Sequence, residues 1–154
     1  MAEEDELARG AYQDFLEDAL NDPVKYIKHD SNAHEDPAIF RMVAEFGMES
    51  YGQYWLLVEL LTSRRGHYYD VTDDYGWLAL SRDMGRLMPM STDDCKEFVG
   101  MLYELDLINR EQYDELGRVT ISRVLRDALA YAEGVASKKL GAWKTNRKKM
   151  FGKG

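Results

Sequence analysis

Residues 71–121, "VTDDYGWLALSRDMGRLMPMSTDDCKEFVGMLYELDLINREQYDELGRVTI", decide the fold. Thr72-Asp73-Asp74 is a capping cluster, and Trp77, Leu80 and Met84 follow it at helical spacing. "GRLMPM", residues 85–90, breaks that helix with a glycine and a proline and reads as a turn. Ser91, with Asp94 three positions on, caps a second helix from 92 to about 105. Cys95, Phe98, Leu102 and Leu105 fall on one side of it and form its buried face. The closing "LINREQYDELGRVTI", residues 107–121, reads as two strands joined by a turn near Asp114 to Gly117. Two helices joined by a turn and followed by a two-stranded wing are the winged-helix arrangement.

The flanks add helices on both sides. "EEDELARGAYQDFLEDAL", residues 3–20, repeats Leu7, Ala11, Phe15 and Ala19 at steps of four, with an acidic outer face, and stops at Asn21-Asp22-Pro23. Asp36-Pro37 reads as a cap followed by proline at the first helical position. The spacing of Ile39, Met42, Val43 and Phe46 predicts a helix that buries all four and ends at Gly47. The next helix starts at once and is apolar on most sides through Tyr54, Trp55, Leu57, Val58 and Leu61, which marks a central element. "HYYDV", residues 67–71, is a short β-prone run. From Ser122 a last helix aligns Leu125, Ala128, Leu129, Ala132, Val135, Leu140 and Trp143 near one face. The expected class is therefore mainly α with a small β-hairpin wing (α+β), a winged helix-turn-helix with extra N-terminal and C-terminal helices. Its expected parts are an acidic helix over 1–22, the winged-helix domain over 23–137 and a basic tail over 138–154.

Charge is divided unevenly along the chain. Seven of the 20 basic residues lie between Lys138 and the end, where there is no acid. The other 13 face all 28 acidic residues, so a body of net −15 carries a tail of +7. A basic end of this kind suits phosphate, and an acidic body suits a basic partner. The chain of 154 residues is long enough for one proper core. It contains no apolar run near the ~20 residues of a membrane span, and its first residues are acidic rather than signal-like. Cys95, the single cysteine, excludes a disulfide within the chain. The expected location is the cytoplasm of a bacterial host, with no membrane partner.

One stretch carries a family pattern. In "KYIKHDSNAHEDPAIFRMVAEFGMESYGQYWLLVELL", residues 25–61, the matching positions include Tyr26, His29, Asp30, Ser31, Asn32, Ala33, Asp36, Pro37 and Ile39. They continue through Gly47, Met48, Glu49, Tyr51, Gly52, Tyr54, Trp55, Leu57, Glu59 and Leu61. This resembles the N-terminal domain of phage and prophage replisome-organiser-like proteins, over about residues 25–130 and more loosely after 65. The resemblance implies a winged helix and a role in phage DNA replication or another DNA transaction, and it implies no defined reaction. The acidic helix at residues 3–20 is additional to the family's pattern.

The candidate sites follow from charge and spacing. His29, Asp30, His34 and Asp36 match no ligand motif, whereas Asp30, Ser31 and Asn32 suit a turn and Asp36 a helix cap. No metal ligand, catalytic residue or cofactor is expected, and the protein reads as a binding protein rather than an enzyme. On the 92–105 helix, Asp93, Glu97, Gly100 and Glu104 should face outward, a surface that repels phosphate. DNA contact is therefore expected from the tail, through Lys138, Lys139, Lys144, Arg147, Lys148 and Lys149, with Trp143 and Phe151 available for stacking. Arg64, Arg65, Arg82 and Arg86 are a secondary basic group. The alternative is an acidic protein-interaction module in which Asp93, Glu97 and Glu104 meet a replication protein or occupy the DNA groove of a nucleic-acid enzyme.

Overall fold

The computed structural model describes residues 2–151. The chain divides into two compact units, one of residues 23–125 and one formed by residues 1–22 with 126–154.

The first unit is built from caps and one apolar helix. Asp36 accepts hydrogen bonds from the N–H groups of Ala38 and Ile39, at 2.9 and 3.3 Å, and starts α2 (Pro37–Phe46) behind a short 3-10 turn at Ala33–Glu35. Gly47, at φ +85°, ends α2 by donating its N–H to Val43 O and lets α3 (Met48–Thr62) begin at the next residue. Tyr54, Trp55, Leu57, Val58 and Leu61 of α3 are all buried, as a central helix requires. After β1 (Tyr69–Asp70), Asp73 caps α4 (Asp74–Met84) through Gly76 N–H, and Ser91 caps α5 (Thr92–Glu104) through Asp94 N–H. α2 packs on α3, α3 on α4, and α4 on both α5 and β1. Leu57, Leu61, Leu80 and Leu102 are essentially inaccessible. Each such burial stabilises the unit by roughly 1.5–3 kcal/mol relative to exposure.

The expected hairpin is not formed. Asn109 accepts a 2.9 Å hydrogen bond from Gln112 N–H and opens a helix, α6 (Arg110–Leu116), where the first strand was expected. Glu111, Gln112, Glu115 and Leu116 are good helix formers, and with an Asn cap ahead of them they outweigh the short β-prone pattern. Gly117 closes α6 in the left-handed conformation, at φ +63°. Only Arg118–Val119 (β2) is a strand, and its partner is β1, with Tyr69 opposite Val119 and Asp70 opposite Arg118 in antiparallel register. The β content is thus small, as expected, but it joins segments distant in sequence. A second correction concerns Phe46, expected in the core and found 53% exposed at the end of α2.

The second unit contains α1 (Ala2–Leu20) and most of α7 (Ser122–Phe151). Ala19, Ala128, Ala132 and Ala136 are buried, Leu140 and Trp143 are half-buried, and Leu129 is exposed despite its place in the periodic pattern. Among the described residues no helix is long and apolar enough to cross a membrane.

Two outcomes test this packing. A Cβ at Gly76 would collide with the backbone carbonyl of Asp70, so Gly76→Ala must push α4 off β1. The expected cost is about 1–3 kcal/mol, read as a drop of about 4–8 °C in Tm per kcal/mol in thermal unfolding; an unchanged Tm would contradict the α4–β1 contact. Burial pushes the Cys95 thiol up to about 11. A thiol reagent at pH 8 should therefore modify the native protein on the order of 100-fold more slowly than the denatured one, and equal rates would place Cys95 outside the core.

Candidate nucleic-acid interface

The basic segment forms the last turns of one continuous helix. Lysines near a helix C-terminus interact favourably with its dipole, and Lys148 and Lys149 occupy that last turn. Around this helix the six expected phosphate contacts divide into three groups. Lys138 and Lys149 are exposed, and at 11 residues apart they lie about three turns and roughly 16 Å apart, on nearly the same helical line. Lys144, Arg147 and Lys148 line a cleft of about 300 Å3 together with Trp143, Phe151 and, from α1, Glu4, Asp5 and Ala8. Lys139 stands over the Phe15 ring, 6.0 Å from its centroid.

The contacts made by these bases limit what each can do. Arg147 lies over Trp143 at 5.0 Å and over Phe151 at 5.5 Å, which orients the guanidinium and adds cation–π attraction. The carboxylates of Glu4 and Asp5 share the cleft with three bases and lower its positive potential. An incoming phosphate must compete with those acids at Lys144 and Lys148, whereas Lys138 and Lys149 meet no acid on their own segment. No periodicity in the acidic first helix or in the basic tail signals that the two share a cleft.

The other candidates fall into place around the first unit. Asp93, Glu97, Gly100 and Glu104 are exposed on α5, as expected, and Lys96 is drawn aside over Trp77, 5.7 Å from the ring centroid. Arg64 and Arg86 converge on Asp83, at 3.8 and 3.2 Å. Arg64 also donates to Tyr68 O at 2.9 Å and stacks over Tyr69 at 3.8 Å. Tyr69 donates its hydroxyl to Asp83 at 2.7 Å, and burial, then that hydrogen bond, push its phenol well above the ordinary tyrosine range. Arg64 is therefore structural, tying β1 to α4, whereas Arg86 makes an exposed ion pair with a residue three positions before it.

The histidine region is a packing element. His29 stacks on Trp55 with centroids 3.7 Å apart and planes 16° apart, and its Nε2 lies 3.3 Å from the Tyr51 hydroxyl. Arg123, which sequence reading passed over, lies over the same Trp55 at 5.1 Å and donates to Lys28 O at 3.0 Å and to Asp30 at 3.3 Å. Asp36 is used as the α2 cap, and His34 is exposed. Among the described residues no group of His, Cys, Asp and Glu side chains is arranged to hold a metal ion.

No curated protein and no solved structure matches this chain. A family model does match it, over residues 26–124, a span that nearly coincides with the compact unit of residues 23–125 and leaves α1 and the basic half of α7 outside. That span is well over half of the chain, and the protein belongs to the family described as Lin1244/Lin1753-like, N-terminal.

Proposed function

We propose that this protein binds DNA through the basic half of α7, as a non-enzymatic, phage- or prophage-type factor in replication or a related DNA transaction. The observation that carries the reading is the acid-free run from Lys138 to Phe151, in which Lys138, Lys144, Lys148 and Lys149 are exposed on a continuous helix. Contacts of that kind are made to phosphate and sugar, so they fix position without reading bases. Binding is then dominated by counterion release and falls steeply with salt. Phe151, 73% exposed and beside Arg147, adds a stacking surface for an unpaired base.

The replication setting rests on the resemblance of residues 25–61 to replisome-organiser-like proteins. The winged-helix reading is supported by the order of elements, with β1 before α4 and α5 and β2 after them, pairing as neighbours. In this chain α6 occupies the place of a wing, and α5 presents Asp93, Glu97 and Glu104 where a recognition helix would present donors. An acidic helix repels the duplex, so the reading assigns DNA contact to α7 and none to α5.

The test is fluorescence anisotropy of labelled single- and double-stranded DNA over a salt series, comparing the wild type with a full-length variant carrying Lys→Gln at 138, 144, 148 and 149. If these four lysines each neutralise a phosphate, the slope of log K against log salt on duplex DNA should shrink by roughly 3–4 in the variant. Binding at low salt should weaken at least ~100-fold with it. No binding by the wild type at low salt, or an unchanged slope in the variant, would overturn the reading.

A further inference from the structure

The end of α2, the start of α3, the connection from α4 to α5 and α5 itself enclose a groove of about 370 Å3 on the family domain. Its apolar lining includes Phe46, Met88 and Met101, and its acids are Glu49, Asp94 and Glu97. Among the described residues neither lysine nor arginine lines it, and the one base of α5, Lys96, lies over Trp77 instead. Phe46 is more than half exposed although its position in the helical pattern belongs to the core side of α2. Met88 is 52% exposed. Methionines adapt their shape to a varied apolar guest, and bulky apolar side chains left open in a concave surface are characteristic of a site that receives a partner segment. The acids determine the guest's sign. A segment seated here must bring one or two large apolar side chains together with lysines or arginines.

The chain itself carries such a segment. Lys148-Lys149-Met150-Phe151 ends α7 with two charges followed by two large apolar residues, and Met150 and Phe151 are 75% and 73% exposed. The net charges of the body and tail, −15 and +7, also make the two surfaces attract between molecules. We propose that the groove lined by Phe46, Met88 and Met101 and flanked by Glu49, Asp94 and Glu97 receives the end of the C-terminal helix of a second copy of this chain. The proposal does not rest on nucleic-acid binding, and its test contains no DNA.

Charge exchange between full-length chains tests it. Sedimentation velocity is run on the wild type, on Glu49→Lys/Glu97→Lys, on Lys148→Glu/Lys149→Glu, and on an equimolar mixture of the two variants. All four substituted side chains are exposed, so each variant retains the core. The wild type should self-associate with rising concentration at ~50 mM salt and dissociate at ~500 mM, where screening is strong. Each variant alone, with like charges on groove and tail, should associate at least roughly tenfold more weakly. The mixture should regain association, since the acidic tail of one variant meets the basic groove of the other. A wild type that is monomeric at ~0.5 mM in low salt would overturn the proposal, because it bounds any affinity to the millimolar range. Variants that associate as well as the wild type, or a mixture that stays dissociated, would overturn it too.

Discussion

The family domain is held closed by a pairing of two residues with two, Tyr69 with Val119 and Asp70 with Arg118. Everything from α4 to α6 lies between those strands in sequence, so the pairing must offset the entropy of closing a long loop. It is reinforced from both sides. Thr120 Oγ1 donates to His67 O at 2.6 Å across 53 residues, in a fully buried position, and Val71 N–H donates to Gly117 O at 2.8 Å. Tyr69 reaches Asp83 of α4, and Arg64 and Arg86 converge on the same carboxylate. His67 accepts a left-handed backbone, φ +61°, to place its carbonyl there, while its Nδ1 lies 2.9 Å from Leu61 O. The left-handed cost is about 1–2 kcal/mol, and the hydrogen bonds around it are buried and so are costly to lose.

That clasp also explains how much of the fold could be read from residues alone. Local signals were sufficient wherever a cap and a helical period coincided. Asp36-Pro37, Ser91 with Asp94, and the Asp73 cluster each start a helix where expected. The β pairing was not legible in the same way, since the partner of β2 lies across three helices rather than across a turn. Asn109 and Gly117 are ambiguous too, because a cap and a left-handed glycine that bound a helix are also what a hairpin turn would use. Phe46 shows the same limit for burial. Its spacing puts it in line with Ile39 and Met42, but α2 ends there and the next helix departs before covering it.

The candidate site was legible as composition and illegible as arrangement. The acid-free basic run is visible in the sequence, and so are the outward acids of α5. Their surroundings are set by packing. Lys144, Arg147 and Lys148 share a cleft with Glu4 and Asp5, so the charges of the tail are not equally available. His29 and Arg123 meet over Trp55 from positions almost a hundred residues apart, which no local pattern signals. The family match covers residues 26–124 and stops short of the basic run, so the segment assigned to DNA is an addition to the family domain rather than part of it.

On the proposed function, α7 meets phosphate and α5 refuses it. Backbone amide mapping of the 15N-labelled full-length protein during titration with a short duplex tests this most directly, because it reports each helix separately. Salt-sensitive shifts should concentrate between Lys138 and Phe151, with Thr92–Glu104 unmoved. Shifts centred on Thr92–Glu104 would contradict this and instead place DNA recognition on α5.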